Sequence, residues 1–177
     1  MTPKSPLLTA SPPSSATNRR QFARMAPRIL LIEDNSDDAA LIERAFRQVL
    51  PTAKLKVLGN GEEAIAYLLG KGGYADRPQH PMPDIIFLDL QIPRKSGLEV
   101  LAWIWEQPDL KPIRVVVLTG SENSTDIQRV RELDAVYQLK PSDFGALAAF
   151  IEMICLRWLT SGSSTRRKTC TLDPVRL

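Results

Sequence analysis

The sequence predicts an α/β fold: a doubly wound, five-stranded parallel sheet in the order 2-1-3-4-5, with helices on both faces. Three observations lead there. Short, nearly continuous apolar runs recur at 28–33, 84–89 and 113–118, as strands buried on both faces show. A segment with helical spacing follows each run, so βα units alternate and the strands lie parallel. Five such units suit a doubly wound order. The two most apolar strands, 28–33 and 84–88, then sit centrally, and a ligand site opens beyond the carboxyl ends of the strands.

The elements follow in order. After the first strand, Asn35 or Ser36 caps a helix with Asp37 and Asp38 in its first turn, where the helix dipole favours acids. Ala39, Ile42, Ala45, Phe46 and Val49 recur at helical spacing until Pro51. Residues 54–59 alternate and read as an edge strand with its lysines outward. Asn60-Gly61 turns into a helix over 62–69, with Ala64, Ile65 and Leu68 inward. Residues 70–83 hold three glycines and three prolines and form a loop. The third strand, 84–89, leads through Pro93 and Gly97 into a helix over 98–107, whose expected inner face is Leu98, Leu101, Ala102 and Trp105. Trp103, two residues from Trp105, cannot share that face. The fourth strand is 113–118, followed by a helix over 126–132 and a last strand over 136–139. Lys140-Pro141-Ser142 ends that strand, and Ser142 or Asp143 caps a final helix. Its apolar stripe is Phe144, Leu147, Ala148, Ile151, Ile154, Cys155 and Trp158.

Composition narrows the function. The 177 residues are 44% hydrophobic and 24% charged, the balance of a soluble globular domain. The net charge of +3 is unevenly spread: residues 1–26 carry +4, 27–159 carry −4 and 160–177 carry +3. The basic character therefore belongs to two tails, the first rich in Pro, Ser, Thr and Ala and expected to be disordered, flanking an acidic domain at 27–159. Arg166-Arg167-Lys168 is one short cluster without interleaved aromatics, so nucleic acid is not the expected partner. No run of about 18 apolar residues exists, so no membrane span is expected. Cys155 and Cys170 show no metal-site spacing, which suits a reduced, cytoplasmic setting. His80 is the single histidine, set between prolines, and reads as a loop residue.

At the strand ends the chemistry concentrates. Glu33 and Asp34 end the first strand and Asp89 the third; Thr119 ends the fourth, followed by Gly120 and Ser121; Lys140 ends the fifth. Carboxylates gathered in one pocket repel one another, so either one takes a proton or a cation enters. Oxygen ligands of this charge suit Mg²⁺. Acids, Mg²⁺, a lysine and a hydroxyl are the set that phosphoryl transfer uses.

These residues carry a resemblance. Ile32-Glu33-Asp34-Asn35, Leu88-Asp89-Leu90 with Pro93 and Gly97, Leu118-Thr119-Gly120-Ser121 and Tyr137-Gln138-Leu139-Lys140-Pro141, in order over about 27–159, resemble the receiver domain of two-component response regulators, a flavodoxin-like fold. The resemblance implies that Asp89 accepts a phosphoryl group from a sensor histidine kinase. Glu33, Asp34, Asp89 and the Gln91 backbone carbonyl would hold Mg²⁺. Thr119 and Lys140 would meet the phosphoryl oxygens, Tyr137 would switch with Thr119, and Lys140–Pro141 would be a cis peptide bond. Such a protein assists its own phosphorylation and dephosphorylation without being an enzyme in the usual sense. A phosphatase on this fold would place its nucleophile in a DxD pattern after the first strand, and Glu33-Asp34-Asn35 lacks it.

Only 19 residues follow Trp158, too few for an output domain, so a stand-alone receiver is expected. The loop over 70–83, opening Gly-Lys-Gly-Gly-Tyr, resembles that of small regulators paired with phytochrome-type light-sensing kinases. A receiver serving another kinase, or an intermediate carrier in a phosphorelay, is the open alternative. Relatives in that subgroup often form homodimers, and the end of the last stripe, Ile151, Ile154, Cys155 and Trp158, offers apolar surface for one.

Overall fold

A computed structural model describes residues 26–159. It contains β1 (Arg28–Ile32), α1 (Ser36–Val49), β2 (Lys54–Leu58), α2 (Gly61–Leu69), β3 (Ile85–Leu88), α3 (Gly97–Glu106), β4 (Arg114–Thr119), α4 (Ser124–Glu132), β5 (Val136–Leu139) and α5 (Phe144–Leu159). The strands pair in the order β2-β1-β3-β4-β5, all parallel, as the sequence predicts. The two basic tails, Ala26 aside, and Cys170 lie outside the described residues. Among the described residues no helix is long and apolar enough to cross a membrane.

Alternation along the central strands divides the core in two. Ile29 and Leu31 of β1, Ile85 and Phe87 of β3, and Val116 and Leu118 of β4 face α1 and α5. Leu30 and Ile32, Ile86 and Leu88, and Val115 and Val117 face α2, α3 and α4. Phe46 of α1 meets Phe87 edge-on, with ring centroids 5.1 Å apart. Each helix starts on a side-chain cap. Asn35 accepts from the N–H groups of Asp37 and Asp38, Asn60 from Glu63, Asn123 from Thr125 and Asp143 from Ala146. Ser96 and Glu99 form a reciprocal capping box. Each such cap contributes about 1 kcal/mol.

Two expectations about helix faces need correction. The buried face of α3 is Gly97, Val100, Leu101 and Ile104, one residue out of step with the expected one; Trp105 is 38% exposed, while Trp103 packs partly buried against the core. Gly97 sets this rotation, because it seats the start of the helix directly on the backbone of Asp89 and Leu90. On α5, Ile151, Ile154 and Cys155 are buried against α1 and the sheet within one chain. Of the residues expected to offer surface for a homodimer, Trp158 alone is only partly buried.

The loop after α2 folds back onto that helix. Gly70 ends α2 at a left-handed φ of +64°, and Arg77 donates to the carbonyls of Tyr67 (2.8 Å), Leu68 (2.6 Å) and His80 (3.3 Å). Its guanidinium thus satisfies carbonyls that the helix end leaves open. The Tyr67 hydroxyl donates to the Pro81 carbonyl at 2.8 Å. His80 packs edge-on against Tyr67 and Tyr74, so it serves the loop's packing. The loop ends at Asp84, which takes two bonds from the Arg28 guanidinium and one from its N–H at the amino ends of β1 and β3. That is the end of the sheet opposite the acidic residues.

Candidate functional site

Register alone brings the acids together. Ile32 pairs with Leu88, so the next residues, Glu33 and Asp89, leave the sheet side by side, and the Asp89 N–H donates to the Ile32 carbonyl at 3.0 Å. Thr119 pairs with Leu139, which places Lys140 just past the end of β4, its N–H on the Thr119 carbonyl at 2.8 Å. The loop after β3 turns back through Arg94, at a φ of +68°, and Gly97 donates its N–H to the Leu90 carbonyl at 3.0 Å. A Cβ on Gly97 would stand 2.1 Å from the Asp89 carbonyl oxygen, so only glycine lets α3 start this close to Asp89.

The centre of the site is the Lys140 ammonium. Its Nζ lies 2.7 Å from each of Glu33 Oε2, Asp38 Oδ2 and Asp89 Oδ2. An ammonium has three N–H donors, so the three carboxylates take all of them. The partners differ in burial: the side chains are 1% exposed for Glu33, 6% for Asp89 and 41% for Asp38, with Lys140 at 17%. The second oxygens are also engaged, since Glu33 Oε1 accepts from the Asn35 N–H and Asp89 Oδ1 from the Gln91 N–H, each at 3.1 Å. Burial pushes the Glu33 carboxyl above the usual carboxylate range, and the Lys140 and Asn35 bonds only partly counter it. Burial pulls the Lys140 ammonium down, but its bonds to Asp38, Asp89 and Glu33 outweigh that and raise its pKa.

Around this centre opens a cavity of about 290 Å³ lined by Glu33, Asp34, Asn35, Asp38, Asp89, Gln91, Gly120 and Lys140. Four carboxyl groups face one ammonium there. Burying two charged carboxylates costs several kcal/mol each, and charge-assisted hydrogen bonds return about 1.5–3 kcal/mol apiece. The arrangement therefore contributes little to stability, and its chemistry is the better explanation for it.

Five of the residues expected at the site, Glu33, Asp34, Asp89, Gln91 and Lys140, line the cavity together. Thr119 does not: it is fully buried beside them, and its Oγ1 accepts from the Ser121 N–H at 3.3 Å. Tyr137 is partly buried, and its hydroxyl donates to the Ser121 carbonyl. Thr119 and Tyr137 are thus tied to the same residue from opposite sides. The Lys140–Pro141 bond is trans, not cis, as are all peptide bonds among the described residues. Trans is favoured by about 0.5–1 kcal/mol for a bond before proline, and Lys140 reaches all three acids with it. Asp38 was legible only as an acid favoured by the helix dipole.

A metal fits the donor set, with one qualification about geometry. Among the described residues no three His, Cys, Asp or Glu side chains form a ready cage; the acids converge on Lys140 instead. Mg²⁺ needs no such cage, because it keeps several waters and takes one or two carboxylates with phosphate oxygens. Asp34, exposed at the mouth, and Asp89 offer that number.

A doubly wound domain whose strand ends carry an acid pair, a central aspartate, a threonine and a lysine defines a class, and sequence comparison settles it. The chain matches the response regulator receiver domain over residues 29–152 and belongs to that family. It is similar to the response regulator Rcp1 of Synechocystis sp., at 38% identity over 132 residues, covering 74% of this chain and 88% of Rcp1. Among solved structures it resembles the phosphorylated cyanobacterial phytochrome response regulator RcpA, with a TM-score of 0.71 and 36% identity over 78% of this chain and 98% of that one. It also resembles the Mn²⁺-bound form of Rcp1, with a TM-score of 0.69 and 35% identity over 79% and 99% of the two chains.

Proposed function

We propose that this receiver accepts a phosphoryl group on Asp89 from a sensor histidine kinase of the phytochrome type, with Mg²⁺ at the cavity mouth. The observation that carries the reading is the Lys140 ammonium held 2.7 Å from Asp89 at the rim of an acidic cavity. In the step, an Asp89 carboxylate oxygen attacks phosphorus. The P–N bond of the phosphohistidine breaks, and its electron pair leaves with the imidazole. Glu33, Asp34, Asp89 and the Gln91 carbonyl would hold the Mg²⁺, whose contribution is to neutralise charge gathering on the phosphoryl oxygens. Lys140 supplies a second positive charge beside Asp89. Thr119 accepts the Ser121 N–H, so its own proton can go to a phosphoryl oxygen. Tyr137 would report that change, because its hydroxyl holds the same Ser121.

The light-sensing partner is supported by the 70–83 loop and by the likeness to the cyanobacterial phytochrome response regulator RcpA. The test is phosphotransfer from a panel of purified histidine kinases, phytochrome-type ones included. Fastest transfer from a phytochrome-type kinase supports the assignment. Transfer only from unrelated kinases overturns the light-sensing part and leaves the acceptor chemistry standing.

A further inference from the structure

We propose that Gly61, the first residue of α2, is a positioning residue that braces the loop after Asp89 from outside and so fixes where the Gln91 carbonyl stands for Mg²⁺. This rests on the reading of Asp89 and the Gln91 carbonyl as part of the Mg²⁺ seat. The base of that loop is tied down twice: the Asp89 N–H bonds to the Ile32 carbonyl, and the Gly97 N–H closes onto the Leu90 carbonyl. Neither bond reaches its outer part, where Pro93, Arg94 and Lys95 are exposed. Gly61, itself buried, lies against that part. Its N–H donates to the Pro93 carbonyl at 3.4 Å, which occupies one of the donors a helix start leaves open. The approach is backbone on backbone. A Cβ on Gly61 would collide with the Lys95 carbonyl oxygen and stand 2.7 Å from Lys95 Cβ and 2.8 Å from Val100 Cγ2. The two sides would not yield equally to it. α2 is anchored by Ala64, Tyr67 and Leu68 in the core and by its Asn60 cap, whereas the exposed turn of the loop has few contacts to hold it. The loop therefore gives way. Gln91 is two residues before Pro93, so its carbonyl moves with the loop while Asp89 stays on β1.

The probe is Mg²⁺ alone, titrated into the full-length chain and followed by backbone amide NMR, with urea unfolding measured beside it. Losing the support around a metal ligand costs about 10–100-fold in affinity, and Gly61→Ala is expected near the lower end, at about tenfold weaker Mg²⁺ binding. Gly70→Ala is the comparator for stability. It strains the other end of α2, at a φ of +64° and with Arg77 Nε 2.7 Å from the added carbon. It should unfold at lower urea and bind Mg²⁺ as the unaltered chain does. Equal Mg²⁺ affinity in Gly61→Ala and the unaltered chain overturns the proposal. Equal weakening by Gly70→Ala also overturns it, because the effect is then one of general stability. Should Gly61→Ala not fold, the unaltered chain decides: its Gly61 amide resonance should shift along the same Mg²⁺ binding curve as that of Gln91, and a Gly61 resonance that Mg²⁺ leaves in place overturns the coupling. If the unaltered chain binds no Mg²⁺ at all, the reading of the Mg²⁺ seat is refuted and the role of Gly61 falls with it.

Discussion

Replacing Gly97 by alanine tests how closely fold and site are joined. The added methyl carbon would stand 2.1 Å from the Asp89 carbonyl oxygen and 2.6 Å from Leu90 Cα. Both neighbours are backbone, so no side chain can swing aside, and either α3 or the loop carrying Asp89 must shift. Overpacking costs about 1–3 kcal/mol, and the upper end applies where only backbone can move. With a urea m-value of about 2 kcal/mol/M, a loss of about 3 kcal/mol lowers the unfolding midpoint by about 1.5 M. Gly59→Ala is the matched control, because a Cβ there meets nothing within 4 Å, and its effect should stay within about 0.5 kcal/mol. Urea unfolding of both variants by circular dichroism reads the difference. The surviving folded Gly97→Ala protein should also accept phosphoryl groups more slowly, since Asp89 lies on the displaced loop. Equal midpoints for the two variants would refute the claim that Gly97 seats α3 against the site.

Other consequences are open to simpler measurements. Burial alone would raise the Asp84 carboxyl, but the Arg28 bonds outweigh it and hold it below the usual carboxylate range. Asp84→Asn should therefore lose about 1 kcal/mol at neutral pH, the discounted value of a half-exposed pair. That difference should be full above about pH 4 and vanish as pH falls through the lowered value, as read by denaturation at several pH values. Burial pushes the Cys155 thiol up to about 12, so in a Cys170→Ser chain alkylation at pH 8 should follow unfolding rather than surface chemistry. Prompt alkylation of the native protein would contradict its burial. Arg77→Ala removes two hydrogen bonds to carbonyls at the end of α2 and one to the His80 carbonyl in the loop. It should cost about 1–2 kcal/mol and raise amide exchange in 70–83, leaving exchange around Asp89 unchanged.

The sheet order and most of the site were legible because parallel strands need only their apolar runs aligned. Once Ile32 and Leu88 are register partners, the acids after them are neighbours without further information. The caps Asn35 and Asp143, each one of two candidates, were legible for the same local reason, whereas the capping box at Ser96 was not read. What sequence missed depends on how rigid elements seat against one another. The face of α3 was read one residue out of step, with Trp105 turned inward in place of Ile104, and only the contact at Gly97 corrects it. Asp38 meets a lysine 102 residues away, a pairing that no local pattern contains. The stripe of α5 looked surplus because the depth of the groove it fills, against α1 and three strands, is a property of the assembled core. The trans bond at Lys140–Pro141 is a choice between two close energies, which composition does not decide.

The central claim is that the acid cluster around Lys140 exists to place a phosphoryl group on Asp89. The most direct measurement is mass-spectrometric mapping of the full-length chain after incubation with a small acyl phosphate, with and without Mg²⁺, beside Asp89→Asn. The account predicts one phosphoryl group, on Asp89, formed only with Mg²⁺ and absent from the variant. Labelling of Asp89→Asn equal to that of the unaltered chain, or labelling that needs no divalent cation, would contradict it.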